Sequence, residues 1–282
     1  MPLAALSRLL LRRIDARYVA VTRMVIGLCM LLKSLDLPRL LSLLLRPESL
    51  RLPYALPLPE LPAAWIDGFT TTWIVLSIML MLGALTKLVN LALAGMIGYL
   101  LLLDQQTYTN NNYALTLWVV LLLLADSGAA VSVDALLRRP KAFIAAWPTE
   151  LLKLQLTIVY IYSVLAKLNA SYLSGGVLVT YLRDDLPPVA YAPGVVVALS
   201  LIGLAAEAWL AVGLWLPRLR LLTALGGTAF HITLTLTIGP AVSLRYLDLG
   251  IFTLMMIAAY IPFFAPAAPE PAPAPVAAAE PA

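Results

Sequence analysis

Eight stretches of this chain, at about 18–35, 70–86, 88–103, 113–126, 150–168, 194–216, 219–237 and 247–264, are apolar runs near bilayer-spanning length. Roughly 20 such residues cross the hydrocarbon of a membrane. In lipid a backbone satisfies its own amides only as a helix or within a closed barrel. The expected fold is therefore all-α, a polytopic membrane helix bundle of about eight transmembrane helices. The 62% apolar and 12% charged composition agrees, since soluble domains carry about 45–50% and about 25%. It excludes a disordered chain, a coiled coil, a disulfide scaffold and a soluble enzyme on a single anchor. Cys29 is the only cysteine, so no intrachain disulfide forms. His231 is the only histidine, which rules out a multi-histidine metal site within one chain.

The net charge of +4 reads as a topology signal, because Lys and Arg are retained on the cytoplasmic side of spans. With the N-terminus inside, the inner segments hold eleven Lys and Arg. The outer segments hold six: Arg39, Arg46, Arg51, Lys167, Arg183 and Arg245. This asymmetry points to a multi-pass protein of the cell membrane with both termini cytoplasmic. Nucleic acid is not expected as a partner, because nothing outside the membrane offers an extended basic surface. Membrane lipid is.

Residues 1–17, with Arg8, Arg12, Arg13 and Arg17 among leucines, read as an amphipathic interfacial segment. Arg23 interrupts the following apolar run and no small-x-small site follows, so a cleaved signal peptide is not expected. Residues 36–69 contain six prolines and read as a long outer loop. Residues 169–193 form a second outer segment. Residues 265–282 hold only Ala, Pro, Glu and one Val, the composition of a disordered or extended tail.

Ionisable residues inside spans are the natural functional candidates. In the fifth run Lys153, Tyr160, Ser163 and Lys167 fall on one face of a helix. Gln155, Tyr162 and Asn169 form a second stripe on the opposite side, the pattern of a helix surrounded by protein or a wet cavity. Lys167, at the outer end, is either a lysine snorkelling to the interface or a base. Removal from water favours the neutral amine that a base needs. Between the third and fourth runs, Asp104 to Tyr113 is rich in amides. Asn110, Asn111 and Asn112 there either cap helices or orient a carbonyl or phenol ligand. Glu207 sits mid-span and needs a partner, with His231, Arg218 and Arg220 as the candidates. His231 shares a face with Thr228 and Thr235, as a hydrogen-bonded core residue or a site residue. Arg23 needs a carboxylate or carbonyl. No GxGxxG, P-loop, GxSxG, CxxC or HExxH is present.

Three groups of residues resemble the HTTM domain, the membrane part of vitamin K-dependent γ-glutamyl carboxylase and its bacterial relatives. Thr109-Asn110-Asn111-Asn112-Tyr113-Ala114-Leu115, an apolar helix and Val131-Ser132-Val133-Asp134-Ala135 resemble the family's Asn-Asn-His-x-Tyr-Leu turn, helix and Ser-[Leu/Val]-Asp-Ala. Ile158-Val159-Tyr160-Ile161-Tyr162 leads to Ala166-Lys167-Leu168-Asn169 and Gly175, similar to I-x-Y-x-x-x-G-x-x-K-L-[DN]-x-x-W-x-x-G. Glu207, Arg218-Leu219-Arg220 and Phe230-His231 are similar to the E…R-x-R…F-H helices. The likeness covers roughly 18–262 and makes 18–264 an HTTM-like transmembrane domain. Asn112 stands where the family has histidine, and Tyr172 where it has tryptophan.

The resemblance implies that Lys167 is the catalytic base acting on a reduced quinone like vitamin K hydroquinone, with O2 and CO2 as co-substrates. A peptide or small substrate with a glutamyl-like group would be carboxylated. It implies cofactor-binding roles for Asn110, Asn111, Asn112, Tyr160 and His231, supported by Ser163, Asn169 and Glu207. The site would face the outer side, with no metal. The carboxylase's large extracytoplasmic substrate domain has no counterpart in these residues. Two other readings stand beside it: a non-enzymatic membrane subunit that binds lipid or quinone, and a DoxX-like quinone-linked redox subunit.

Overall fold

The computed structural model describes residues 12–46, 48–54, 58–239 and 244–269. It is 73% helix and 4% strand. The order begins with strand β1 (Arg13–Asp15), helix α1 (Ala16–Lys33) and the short α2 (Leu37–Leu44). Next come α3 (Ile66–Leu82), α4 (Thr86–Leu103), α5 (Asn110–Leu124), α6 (Val133–Arg138), β2 (Phe143–Ala145) and α7 (Trp147–Lys167). The small helices α8 (Ala170–Leu173) and α9 (Gly176–Tyr181) lead to α10 (Pro193–Gly213), α11 (Arg220–Thr237) and α12 (Leu244–Tyr260).

The long helices α1, α3, α4, α5, α7, α10, α11 and α12 fall on the eight apolar runs. By length and apolarity, five segments among the described residues can cross a membrane: Ala63–Leu82, Thr86–Leu103, Trp147–Lys167, Pro193–Gly213 and Leu247–Phe264. The count is six if α1 and α2, bent by 49°, form one broken span. Helix α5 is apolar but only 15 residues long. Helix α11 carries five threonines and His231 and falls outside the set. The protein is thus a multi-pass helical membrane protein; five to six spans meet this measure among the described residues, and the count of about eight is not confirmed by it.

Loop 36–69 is more ordered than its prolines imply. Pro38 lies in the first turn of α2, where a missing N–H leaves no bond unmade. Residues 1–11 of the expected amphipathic N-terminus lie outside the described residues. Arg13–Asp15 is a strand, antiparallel to Phe143–Ala145 with Ile14 opposite Ile144. The expected tail is described only to residue 269, and residues 266–268 pair with this strand. Asp15 N–H donates to Pro266 O at 3.0 Å and Ala268 N–H to Arg13 O at 2.8 Å. We call this end of the bundle, with the turns 83–86, 125–147 and 214–219, the strand end. The other end holds the termini of α1, α4 and α7.

Helix α1 packs between α3 and α12, and its wholly buried Arg23 ties the strand end together. The guanidinium donates from Nη1 to Ser127 O at 2.7 Å and from Nη2 to Val131 O at 2.7 Å, with Met81 O at 3.4 Å. Carbonyls rather than a carboxylate accept from its two terminal nitrogens, and Nε has no partner among the described residues. Gly83 ends α3 with φ 69°, and a Cβ there would lie 2.4 Å from Arg23 Nη1. The Ser132-Val133-Asp134 segment locks the same corner. Ser132 Oγ accepts from Ala135 N–H to start α6, and Asp134 accepts from the backbone N–H groups of Leu85 and Thr86 at 2.9 and 2.8 Å. That motif is accordingly a structural joint between two turns.

Burial acts to raise the Asp134 carboxyl, but the Thr86 and Leu85 hydrogen bonds and Arg138 outweigh it and hold it below the usual carboxylate value. Its stabilisation is therefore complete above the unfolded value, near 3.8, and is lost as pH falls through the lower folded value. Asp134→Ala should destabilise the detergent-solubilised protein by about 1–3 kcal/mol at neutral pH, measured by thermal unfolding. Asp134→Asn should flatten the acid limb of the same melts. Wild-type-like melts of both variants would remove the joint from the account.

Candidate functional site

The local sequence explains how Lys167 comes to be held. Pro148 occupies the first turn of α7 and Lys167 is its last residue. The helix stops because Asn169 starts a new one. Its Oδ1 accepts from Tyr172 N–H at 2.9 Å, and its Nδ2 donates back to Ala166 O at 2.8 Å. This turn brings the Tyr172 ring to 5.6 Å from Lys167 Nζ, a cation–π contact. Gly175 then adopts φ 79°, and a Cβ there would meet Val196 of α10 at 2.8 Å. The Lys-Leu-Asn-x-x-Tyr-x-x-Gly spacing thus works as one device that fastens the end of α7 to α10.

Helices α7 and α10 run antiparallel in a register marked by Trp215 Nε1 donating to Thr157 Oγ1 at 2.9 Å. In that register Glu207 falls level with Lys167. Nζ lies 2.5 Å from Glu207 Oε1 and donates to Ser163 Oγ at 3.0 Å. The Glu207 side chain is 7% exposed and that of Lys167 25%, so the pair is mostly buried, with the lysine the more exposed partner. Glu207 Oε2 is buried and has no hydrogen-bond partner among the described residues. The partner of Glu207 is thus Lys167, and not His231, Arg218 or Arg220 as the sequence suggested. Arg220 instead donates to Leu214 O at 3.0 Å.

Deeper along the same face, Tyr160 shares its hydroxyl between His231 Nε2 at 2.9 Å and Tyr260 Oη at 2.6 Å. All three are buried. Phe230 and Phe252 stand edge-on around the imidazole, and Thr253 and Thr235 donate to the His231 carbonyl. His231 Nδ1, like Glu207 Oε2, is buried without a partner. The network joins α7, α11 and α12 across the interior, where an interhelical hydrogen bond contributes about 0.6 kcal/mol and up to about 2 kcal/mol.

The structure thus gathers Lys167, Ser163 and Glu207 in one group and Tyr160 with His231 in a second on the same wall. Asn169 is a helix cap whose side chain serves the backbone. The asparagine turn lies at the same end of the bundle but on another wall. Asn110 opens α5 on the surface, and Asn112 donates to Thr107 O at 3.0 Å. Asn112, Thr107 and Trp73 line a small cavity with Lys33, which pairs with Asp248 at 2.5 Å. No contact among the described residues joins Asn110, Asn111 or Asn112 to Lys167. The expected second polar stripe on α7 does not face protein either: Tyr162 is 70% exposed among the exposed Ile158, Ile161 and Leu165. Tyr260, Tyr172 as a ring partner and the Lys33–Asp248 pair were not anticipated as site features. Asp248, an acid inside an apolar run, was the one signal that could have found the last.

A multi-pass helical bundle with a lysine–glutamate pair set into its wall defines the class. The HTTM domain matches residues 11–267, and the chain belongs to that family, which is associated with vitamin K-dependent carboxylase-like membrane proteins. No solved structure matches the chain.

Truncating one member of a buried ion pair strands the other charge, at a cost of about 3–5 kcal/mol. Lys167→Ala should therefore lower the unfolding midpoint more than the double substitution Lys167→Met with Glu207→Leu. If the effects of the two single substitutions simply added in the double variant, the two residues would be uncoupled.

Proposed function

We propose that the protein is an integral membrane enzyme of the vitamin K-dependent carboxylase type, with a reduced quinone bound beside Lys167 and the Lys167–Glu207 pair acting as base. The observation that carries this reading is the 2.5 Å contact between Lys167 Nζ and Glu207 Oε1 in a mostly buried wall. An ammonium is no base, but the proton between these atoms can reside on either partner. Low polarity narrows the difference between the charged pair and the neutral amine with its carboxylic acid. In the neutral form Lys167 carries a lone pair. Ser163 Oγ on one side and the Tyr172 ring on another restrict the directions from which a proton donor can approach Nζ.

The residues fit a quinol. Glu207 Oε2 is a buried acceptor without a partner, which a phenolic O–H would satisfy, and His231 Nδ1 offers a second unmet polar atom on that wall. Held there, a quinol would supply an acidic phenol for Lys167 to deprotonate and, with O2 as its oxidant, the driving force for forming the strong base that glutamyl carboxylation with CO2 requires. Lys167 accepts the phenolic proton, Glu207 shares it, and Ser163 holds Nζ in place. Tyr160 and Tyr260 fix the imidazole of His231. Asn110, Asn111 and Asn112 lie on another wall at the same end of the bundle, and amides there can hold a polar ring substituent. We place the site on the outer side of an eight-span protein of the cell membrane with cytoplasmic termini, on the strength of the charge asymmetry of its loops.

The closed ion pair also supports a second reading, a non-enzymatic subunit in which Lys167–Glu207 is a helix–helix tie. Quinone titration of the purified protein, read by quenching of its six tryptophans across a pH series, separates the two. Saturable binding whose pH midpoint vanishes in Lys167→Ala is the expected result. Oxygen- and CO2-dependent turnover should then fall about 10²–10⁴-fold in that variant, the contribution of a general base. Full turnover by Lys167→Ala would overturn the mechanism, and absence of quinone binding would favour the subunit.

A further inference from the structure

At the strand end, α7 begins with a charge arrangement that the Lys167 chemistry does not use. Arg12 Nη2 and Lys153 Nζ both contact one oxygen, Glu150 Oε1, at 2.8 and 3.1 Å. Lys153 is nearly buried, with its side chain 8% exposed, whereas that of Arg12 is 42% exposed. Arg220 lies close enough to act on the Lys153 ammonium alongside Arg12. Its only hydrogen bond among the described residues is to the Leu214 carbonyl. Arg218, exposed on the α10–α11 turn, has no ion-pair partner among the described residues. One carboxylate thus stands against three cations, one of them withdrawn from water. A positive surplus around a nearly buried, already paired lysine offers a place for an anion from outside.

The surroundings state what kind. The Phe263 ring lies 5.7 Å from Lys153 Nζ and closes the apolar side, and the exposed Trp215 packs edge-on against it at 5.2 Å. Trp147, the first residue of α7, is also partly exposed. Indole rings collect at the depth of lipid headgroups, and basic pockets between helix ends hold anionic headgroups. We propose that Arg12, Lys153 and Arg220 form a binding site for the phosphate of an anionic lipid headgroup, with Trp147 and Trp215 marking its depth. Glu150 restrains the site: by occupying two of the three cations, it sets the affinity below what they would otherwise give.

The test uses the full chain in neutral detergent, titrated with phosphatidylglycerol, phosphatidylcholine or inorganic phosphate while the unfolding midpoint is followed. Phosphatidylglycerol should raise the midpoint saturably, and the other two should not. Arg220→Gln should weaken phosphatidylglycerol about fivefold, the effect of one interfacial charge. Glu150→Gln should strengthen it, an opposite sign that a merely structural carboxylate would not produce. The proposal fails if phosphatidylcholine protects equally, or if inorganic phosphate alone protects as well as the lipid. It also fails if Glu150→Gln leaves the lipid affinity unchanged, an arm that stands even where an arginine variant folds poorly.

Discussion

A guanidinium removed from water must be satisfied by whatever lies beside it, and Arg23 recruits the backbone for that purpose. Its donors reach carbonyls at Met81, Ser127 and Val131, which belong to two different turns. The turn after α3 and the turn after α5 can then occupy only one arrangement, in which Gly83 must be left-handed and free of a side chain. Asp134 completes the joint by accepting from the first N–H groups of α4, which a helix start leaves unpaired. The hydrocarbon enforces this economy, because an unmet polar group there has no water to turn to. The spacing of α1, α3, α4 and α5 follows from it.

The inward face of α7 extends the same rule to the site. Lys153, Tyr160 and Lys167 recur at seven-residue intervals, two helical turns apart. Lys153 pairs with Glu150 one turn earlier on α7 itself, Tyr160 reaches α11 and α12, and Lys167 reaches α10. One helix therefore carries the headgroup-depth cluster, an interior hydrogen-bond network and the candidate base. Its outward face, with Ile158, Ile161, Tyr162 and Leu165 exposed, is left to lipid. Glu207 Oε2 and His231 Nδ1 are among the buried polar atoms that lack a partner among the described residues.

Much of this was legible in the residues. The apolar runs locate the long helices, the period of α7 places Lys153, Tyr160, Ser163 and Lys167 on one face, and the family likeness is confirmed over residues 11–267. The second stripe misled, because Tyr162, an amphipathic ring, faces outward. The proline-rich loop misled as well, since Pro38 fits the first turn of a helix. Residues 13–15 gave no strand signal, as three residues have no measurable alternation and their partner lies at 143–145.

Taken alone, the order of residues determined the helical class and the face of α7 that carries Lys153, Tyr160, Ser163 and Lys167, because these depend on neighbours within a few positions. Tertiary structure decided that Lys167 meets Glu207, that Arg23 is held by carbonyls, and that Asn112 faces Lys33 instead of Lys167. Those pairings depend on how far antiparallel helices slide past one another. A shift of one turn, about 5.4 Å, exchanges every partner while leaving each helix's own pattern intact.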